Sequence, residues 1–198
     1  MDIRRQKKAV GGYLASVAFM DRQVGKVLDA LDEAKLTDKT IIIFTSDHGY
    51  HLGEHDFWAK VSLHEESVKV PLIVCVPGKK PAVCDSLVEL LDLYPTTAKL
   101  CGLEVPDRLQ GEDISATLDN SKHEVRDAAF SVNGKGFLLR EDQWAFIQYG
   151  EKAERGIELF DMENDPLQYT NLAVDPQYKE TVDRFRTKFV DKMQAVRD

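Results

Sequence analysis

A carboxylate and an imidazole stand side by side at Asp47 and His48, and Lys60 follows after a segment carrying His51, Glu54, His55 and Asp56. An oxygen donor next to a nitrogen donor suits a divalent cation. Two ligands are too few for calcium, which takes about 6–8 oxygens, so further ligands must come from elsewhere. On spacing alone the plainer alternatives stay open: Asp-His-Gly can be a turn that caps the next segment, and Lys60 a solvated surface lysine. Neighbouring residues on a strand point to opposite faces, so Asp47 and His48 can share a site only where the backbone leaves the strand. Gly49 permits that departure.

The elements that must position these residues lie on either side. Thr40 to Thr45 is an apolar, β-branched run of strand length that ends at Ser46-Asp47-His48-Gly49, and Val70 to Val76 is a second such run ending at Pro77-Gly78. In open α/β sheets ligands collect beyond the carboxyl ends of strands, which puts the chemistry at residues 46–60. The near-continuous apolarity of both runs predicts strands covered on both faces. Leu14, Val17, Ala18, Val24, Val27, Leu28 and Leu31 recur at helical spacing and predict a long amphipathic helix from about Gly12 to Lys35. Asp21 falls on its apolar stripe and reads as a packed acid with a satisfying partner. Helical periodicity recurs from Ser86 to Leu100, with Pro95 either near the start of the helix or kinking it.

From about Arg126 the texture changes. Ala128–Val132, Gly136–Arg140, Gln143–Tyr149 and Ile157–Asp161 are short strand-like runs separated by turn residues, and predict an antiparallel meander. Tyr178, Val182, Phe185, Phe189 and Met193 predict a final helix lying over one face of that sheet. The expected division is an α/β portion over 1–125 and a four-stranded subdomain with its helix over 126–198.

Composition excludes some functions. A net charge of -8 with no basic stripe argues against a nucleic-acid surface. Cys75, Cys84 and Cys101 form neither a metal-type pair nor a disulfide framework, which leaves the compartment undecided. The basic N-terminus has no apolar run behind it, so no signal peptide is expected, and no stretch has the length and apolarity of a membrane span.

Ser46 to His55, then Trp58-Ala59-Lys60, then Glu65 to Val74 resemble, in that order, the second half of a type I sulfatase, closest to the iduronate-2-sulfatase branch and its bacterial relatives. Leu90 to Thr96 and Glu158 to Pro166 resemble later signatures of the same family. The resemblance covers roughly residues 13–174. It implies the C-terminal portion of an alkaline-phosphatase-like α/β fold, with a small antiparallel sheet and helix as a C-terminal subdomain. It also implies sulfate-ester hydrolysis, with Asp47 and His48 as metal ligands, calcium as the usual ion, and Lys60 contacting the sulfate. His51 and His55 are each either a structural residue or a substrate contact, the structural reading being preferred. The substrate implied is a sulfated small molecule or saccharide. A phosphonate or phosphodiester hydrolase of the same superfamily, or a non-catalytic binding domain, are the competing readings.

One departure from the family is large. Sulfatases carry an N-terminal half with an Asp-Asp metal pair and a Cys-x-Pro-Ser-Arg motif whose cysteine becomes the formylglycine nucleophile, and neither occurs in this sequence. Cys75-Val76-Pro77-Gly78-Lys79 mimics the motif only superficially, since it ends the second strand and lacks the Ser and Arg. The chain is therefore expected to be inactive alone, with formylglycine and the remaining ligands supplied by a missing N-terminal sulfatase segment.

Overall fold

The computed structural model describes residues 2–197. Its Cα trace divides into two compact units: Met1–Lys60 with Lys69–Lys80, and Val61–Val68 with Pro81–Asp198. This differs from the expected boundary after residue 125, because residues 81–125 group with the meander.

In the first unit, helix α1 runs Ile3–Glu33, starting well before the expected Gly12. Asp2 explains the early start: its carboxylate accepts from the amides of Arg4 and Arg5 at 3.0 Å, satisfying donors that a helix start leaves open. Strands β1 (Ile42–Thr45) and β2 (Leu72–Cys75) pair antiparallel, with Ile42 opposite Cys75 and Thr45 opposite Leu72. The sequence-based expectation of burial is corrected here. None of the 31 residues of α1 is buried, β1 is half-buried throughout, and β2 alternates between half-buried and exposed. An antiparallel pair can leave one face to solvent, and Ile73 and Cys75 of β2 lie on such a face. Asp21 is likewise exposed instead of packed, since the stripe it interrupts is itself uncovered.

The second unit closes its own core. Helix α2 (Glu65–Val68) is a single turn, and α3 (Leu93–Leu100) begins just ahead of Pro95, which therefore sits in the first turn where its missing N–H is not needed. Strands β3 (Ala129–Asn133), β4 (Gly136–Arg140), β5 (Trp144–Tyr149) and β6 (Ile157–Asp161) form a meander in sequence order, within a residue of the expected runs. Gly134, at φ +59, supplies the left-handed backbone that the tight β3–β4 link requires. Helix α4 (Lys179–Arg197) lays Val182, Phe185 and Phe189 against Phe137, Leu139, Phe146 and Leu159. The rings of Phe185 and Phe146 stack at 5.3 Å between centroids. The opposite face of the sheet packs on Leu63 through Leu138, Ala145, Ile147 and Phe160.

Two polar devices secure this unit. Asp92 is fully buried and receives Arg126 through two hydrogen bonds of 2.6 and 2.7 Å, while the amides of Glu89 and Glu112 donate to the same carboxylate. At the edge of α4, Arg184 and Lys188 both bond Glu141, and Lys188 also bonds Asp127. Burial alone would raise the Glu141 pKa, but the hydrogen bonds from Arg184 and Lys188 outweigh it and hold the carboxyl below its ordinary range. The Lys188 hydrogen bond lowers Asp127 in the same direction.

Candidate functional site

Strand β1 ends at Thr45, and the next residues fold back on themselves. The Ser46 hydroxyl donates to the His48 carbonyl at 2.8 Å, which bends the chain as it leaves the strand. His48 Nδ1 lies 2.8 Å from the Gly49 carbonyl, an acceptor only, so this nitrogen carries the proton. Its other nitrogen, Nε2, is then left with a lone pair in the neutral ring, 3.7 Å from Asp47 Oδ2. The bend thus overcomes the strand's alternation and brings the two donors together. A backbone carbonyl fixing one imidazole nitrogen while the other faces a ligand is the usual arrangement for a metal-binding histidine. Asp47 is exposed and His48 half-buried, so the pair is open to a cation.

Residues 51–59 form a closed loop. The His51 amide donates to the Ala59 carbonyl at 2.7 Å, so the chain enters the loop after Tyr50 and leaves it at Lys60 from the same base. Inside, Gly53 donates to Phe57, Phe57 donates to Glu54, and the Leu52 amide reaches the Glu54 carboxylate at 2.6 Å. His55 and Asp56 both take positive φ, 56° and 54°, which makes the reversal tight enough to close. Gly53 has φ +124, and a β-carbon there would lie 2.9 Å from the Trp58 ring, so the indole occupies the space that a side chain would need.

His51 is fully buried, with its ring edge-on to Phe57 at 5.1 Å and near His55 at 5.9 Å. His51 thus packs inside the loop. His55 takes part in the same packing. Lys60 is exposed at the loop exit and has no ion-pair partner among the described residues. Among the described residues no cluster of three or more His, Cys, Asp or Glu side chains could hold a metal; Asp47 and His48 offer two donors. Their chemistry and convergence fit such a cation.

Tyr50 was not singled out by sequence reasoning, yet it stacks on Tyr13 of α1. Its position directly after Asp-His-Gly could have drawn attention to it; nothing in the sequence points to Tyr13. The three cysteines are all exposed and free. No described helix is long and apolar enough to cross a membrane.

The antiparallel strand pair with its Asp47–His48 turn and the meander with its covering helix are features of the alkaline-phosphatase-like fold of the solved sulfatases on which this chain superposes. The chain belongs to the sulfatase family: residues 2–103 match the Sulfatase model, and residues 53–195 match that of the N-sulphoglucosamine sulphohydrolase C-terminal region. It is similar to mouse arylsulfatase K, 34% identical over 82% of this chain and 32% of that protein. It is also similar to a choline-sulfatase of Rhizobium meliloti, 32% identical over 89% of this chain and 35% of that protein. The chain thus spans about a third of the length of these relatives. Among solved structures, a 2-O GAG sulfatase, BT1596, superposes with TM-score 0.81 at 30% identity, covering 90% of this chain and 41% of that one. A phosphonate monoester hydrolase of Agrobacterium radiobacter superposes with TM-score 0.73 at 27% identity, covering 91% of this chain and 39% of that one.

Proposed function

We propose that this chain supplies the C-terminal share of a sulfuric ester hydrolase centre, with Asp47 and His48 as ligands of a calcium ion and Lys60 as the cation that meets the sulfate group. The observation that carries this reading is the convergence of His48 Nε2 and Asp47 Oδ2, with Nδ1 committed to the Gly49 carbonyl. When bound, the metal ion supplies positive charge against the oxygens of the ester group. Lys60, without a competing carboxylate among the described residues, adds charge of the same sign on a compact ammonium. His51 serves the loop that delivers Lys60, and not the substrate.

The substrate class is a sulfated small molecule or saccharide, in keeping with relatives named for choline sulfate and glycosaminoglycans. The ordered Asp-His, Trp-x-Lys and Glu-Glu-Ser-Val-Lys-Val-Pro motifs favour an iduronate-2-sulfatase-like member. The nucleophile, a formylglycine in this family, is assigned to the missing N-terminal sulfatase segment, so the chain alone turns nothing over. Removing a covalent nucleophile ordinarily costs most of an enzyme's rate.

Incubation of the purified chain with calcium and an aryl sulfate tests the inactivity, and robust turnover would refute it. Calorimetry with calcium and a sulfated monosaccharide tests the half-site. Heat of sulfated-sugar binding that disappears in Lys60→Ala supports the assignment, whereas equal heat in that variant removes Lys60 from it. The similarity to a phosphonate monoester hydrolase supports a second reading, hydrolysis of phosphonate or phosphodiester groups at the same residues. Preference for a phosphonate monoester over the sulfate in the same calorimetry would favour it. Binding with no turnover, even when a nucleophile segment is supplied, would favour a non-catalytic domain.

A further inference from the structure

The hydrogen bonds described for Ser46 to Gly49 close within the turn itself, from Ser46 to His48 and from His48 to Gly49. They give the turn its shape but do not tie it to any other element. The tie comes two residues past His48, where the Tyr50 ring stacks on the Tyr13 ring of α1, with centroids 5.6 Å apart and planes 30° from parallel. Both rings are only partly covered, at 42% and 38% exposure, so they are held by each other and not by a surrounding core. Helix α1 buries none of its residues, which makes this stack a specific contact between it and the turn. Offset aromatic pairs of this kind are worth more than their buried area alone.

We infer that Tyr13 is a positioning residue for the Asp47–His48 pair: by clamping Tyr50 it orients the turn on α1 and keeps Nε2 and Oδ2 convergent. Tyr13 does not touch the cation, and its hydroxyl is not needed, since the ring face makes the contact. The inference rests on the metal-ligand reading of Asp47 and His48. It adds to that reading a residue on the other side of the unit's sequence, some thirty positions earlier.

The test is a manganese titration of the whole chain followed by NMR, reading paramagnetic broadening of the His48 ring protons. Manganese accepts the same oxygen and imidazole donors, and broadening detects weak binding. The unmodified chain and Tyr13→Phe should share one midpoint. Tyr13→Ala and Tyr13→Leu should need about three- to tenfold more metal, the range expected for an aromatic pair. Because position 13 is on an uncovered part of the helix and both Ala and Leu favour helix, the variants should keep the far-ultraviolet spectrum of the parent. Unchanged midpoints in both Tyr13→Ala and Tyr13→Leu would overturn the clamp while leaving the metal pair intact. If the unmodified chain shows no broadening at His48, or if His48→Ala leaves manganese binding as it was, the metal reading falls and the clamp with it.

Discussion

Helices α1 and α4 both carry an apolar stripe at helical spacing, yet Phe185 of α4 is fully buried while Leu28 of α1 is 42% exposed. Helix α4 has the meander to lie on, with Phe137, Phe146 and Leu159 filling the space beneath it. Helix α1 has a two-stranded sheet in its unit, and Leu14 and Val27 keep most of their surface in water, with Val17 41% exposed. The difference teaches where stability and chemistry reside in this chain. The region that satisfies itself holds no candidate ligand, and the region that presents Asp47, His48 and Lys60 lacks a closed core of its own. A helical stripe without a partner gains little from folding, because area left in water contributes nothing to the hydrophobic term.

Substitutions can break or sharpen that contrast. The largest effect is expected from Phe185→Ala, which should cost about 3–5 kcal/mol through lost burial and the cavity left beside Phe146. Urea unfolding followed by tryptophan fluorescence measures it, and a loss under about 1 kcal/mol would mean the meander core is not what it looks to be. Arg126→Ala should come next. It strips two hydrogen bonds from the buried Asp92 carboxylate, although the amides of Glu89 and Glu112 remain. About 2–3 kcal/mol is expected, somewhat below the usual cost of orphaning a buried charge.

A smaller effect is expected from acid. Glu141 and Asp127 have lowered pKa values in the folded chain, so the unfolded chain binds protons more readily. Their contribution is therefore complete above the ordinary carboxylate range and is lost as pH falls through about 4 and below. Asp127 is largely exposed and solvent screens its share, so Glu141→Gln should remove most of this acid slope, about 1 kcal/mol in all. A thermal-melt series between pH 7 and pH 3 reads it directly, and an unchanged slope in the variant would point to other carboxylates. The smallest change belongs to α1. Leu28→Ala and Val17→Ala should shift the unfolding midpoint by no more than about 0.5 kcal/mol, and a loss of 2 would show that the stripe has a partner in solution.

Much of the element order was legible in the sequence, and the illegible part has physical causes. Alternation and turn residues locate all of β3 to β6, because a meander is built from local hairpins whose signals sit next to one another. The motif at Ser46 to Gly49 marks the candidate site for a similar reason, since strand, turn and donors are contiguous. Burial was misjudged where it depends on distant chain. The runs that became β1 and β2 are as apolar as covered strands, and Asp21 sits on a regular stripe, but pattern cannot report whether anything covers them. Asp92 and Arg126 are 34 residues apart and share no periodicity, so their pairing had no local signal. The closure of residues 51–59 depends on two consecutive left-handed residues and on Trp58 filling the space over Gly53, neither of which composition announces.

The order in which the two units take up the chain has a consequence for recombination. Residues 61–68 belong to the second unit, between stretches of the first that end at Lys60 and resume at Lys69. A single crossover or a single truncation therefore cannot transfer either unit whole. A chimera joined after residue 80 would receive the meander and α4 but leave behind Leu63, whose side chain belongs to the core under β4 and β5. Exchange between relatives in this region should succeed only when residues 61–68 travel with the later piece, which makes that short segment the one that limits how the gene can be shuffled.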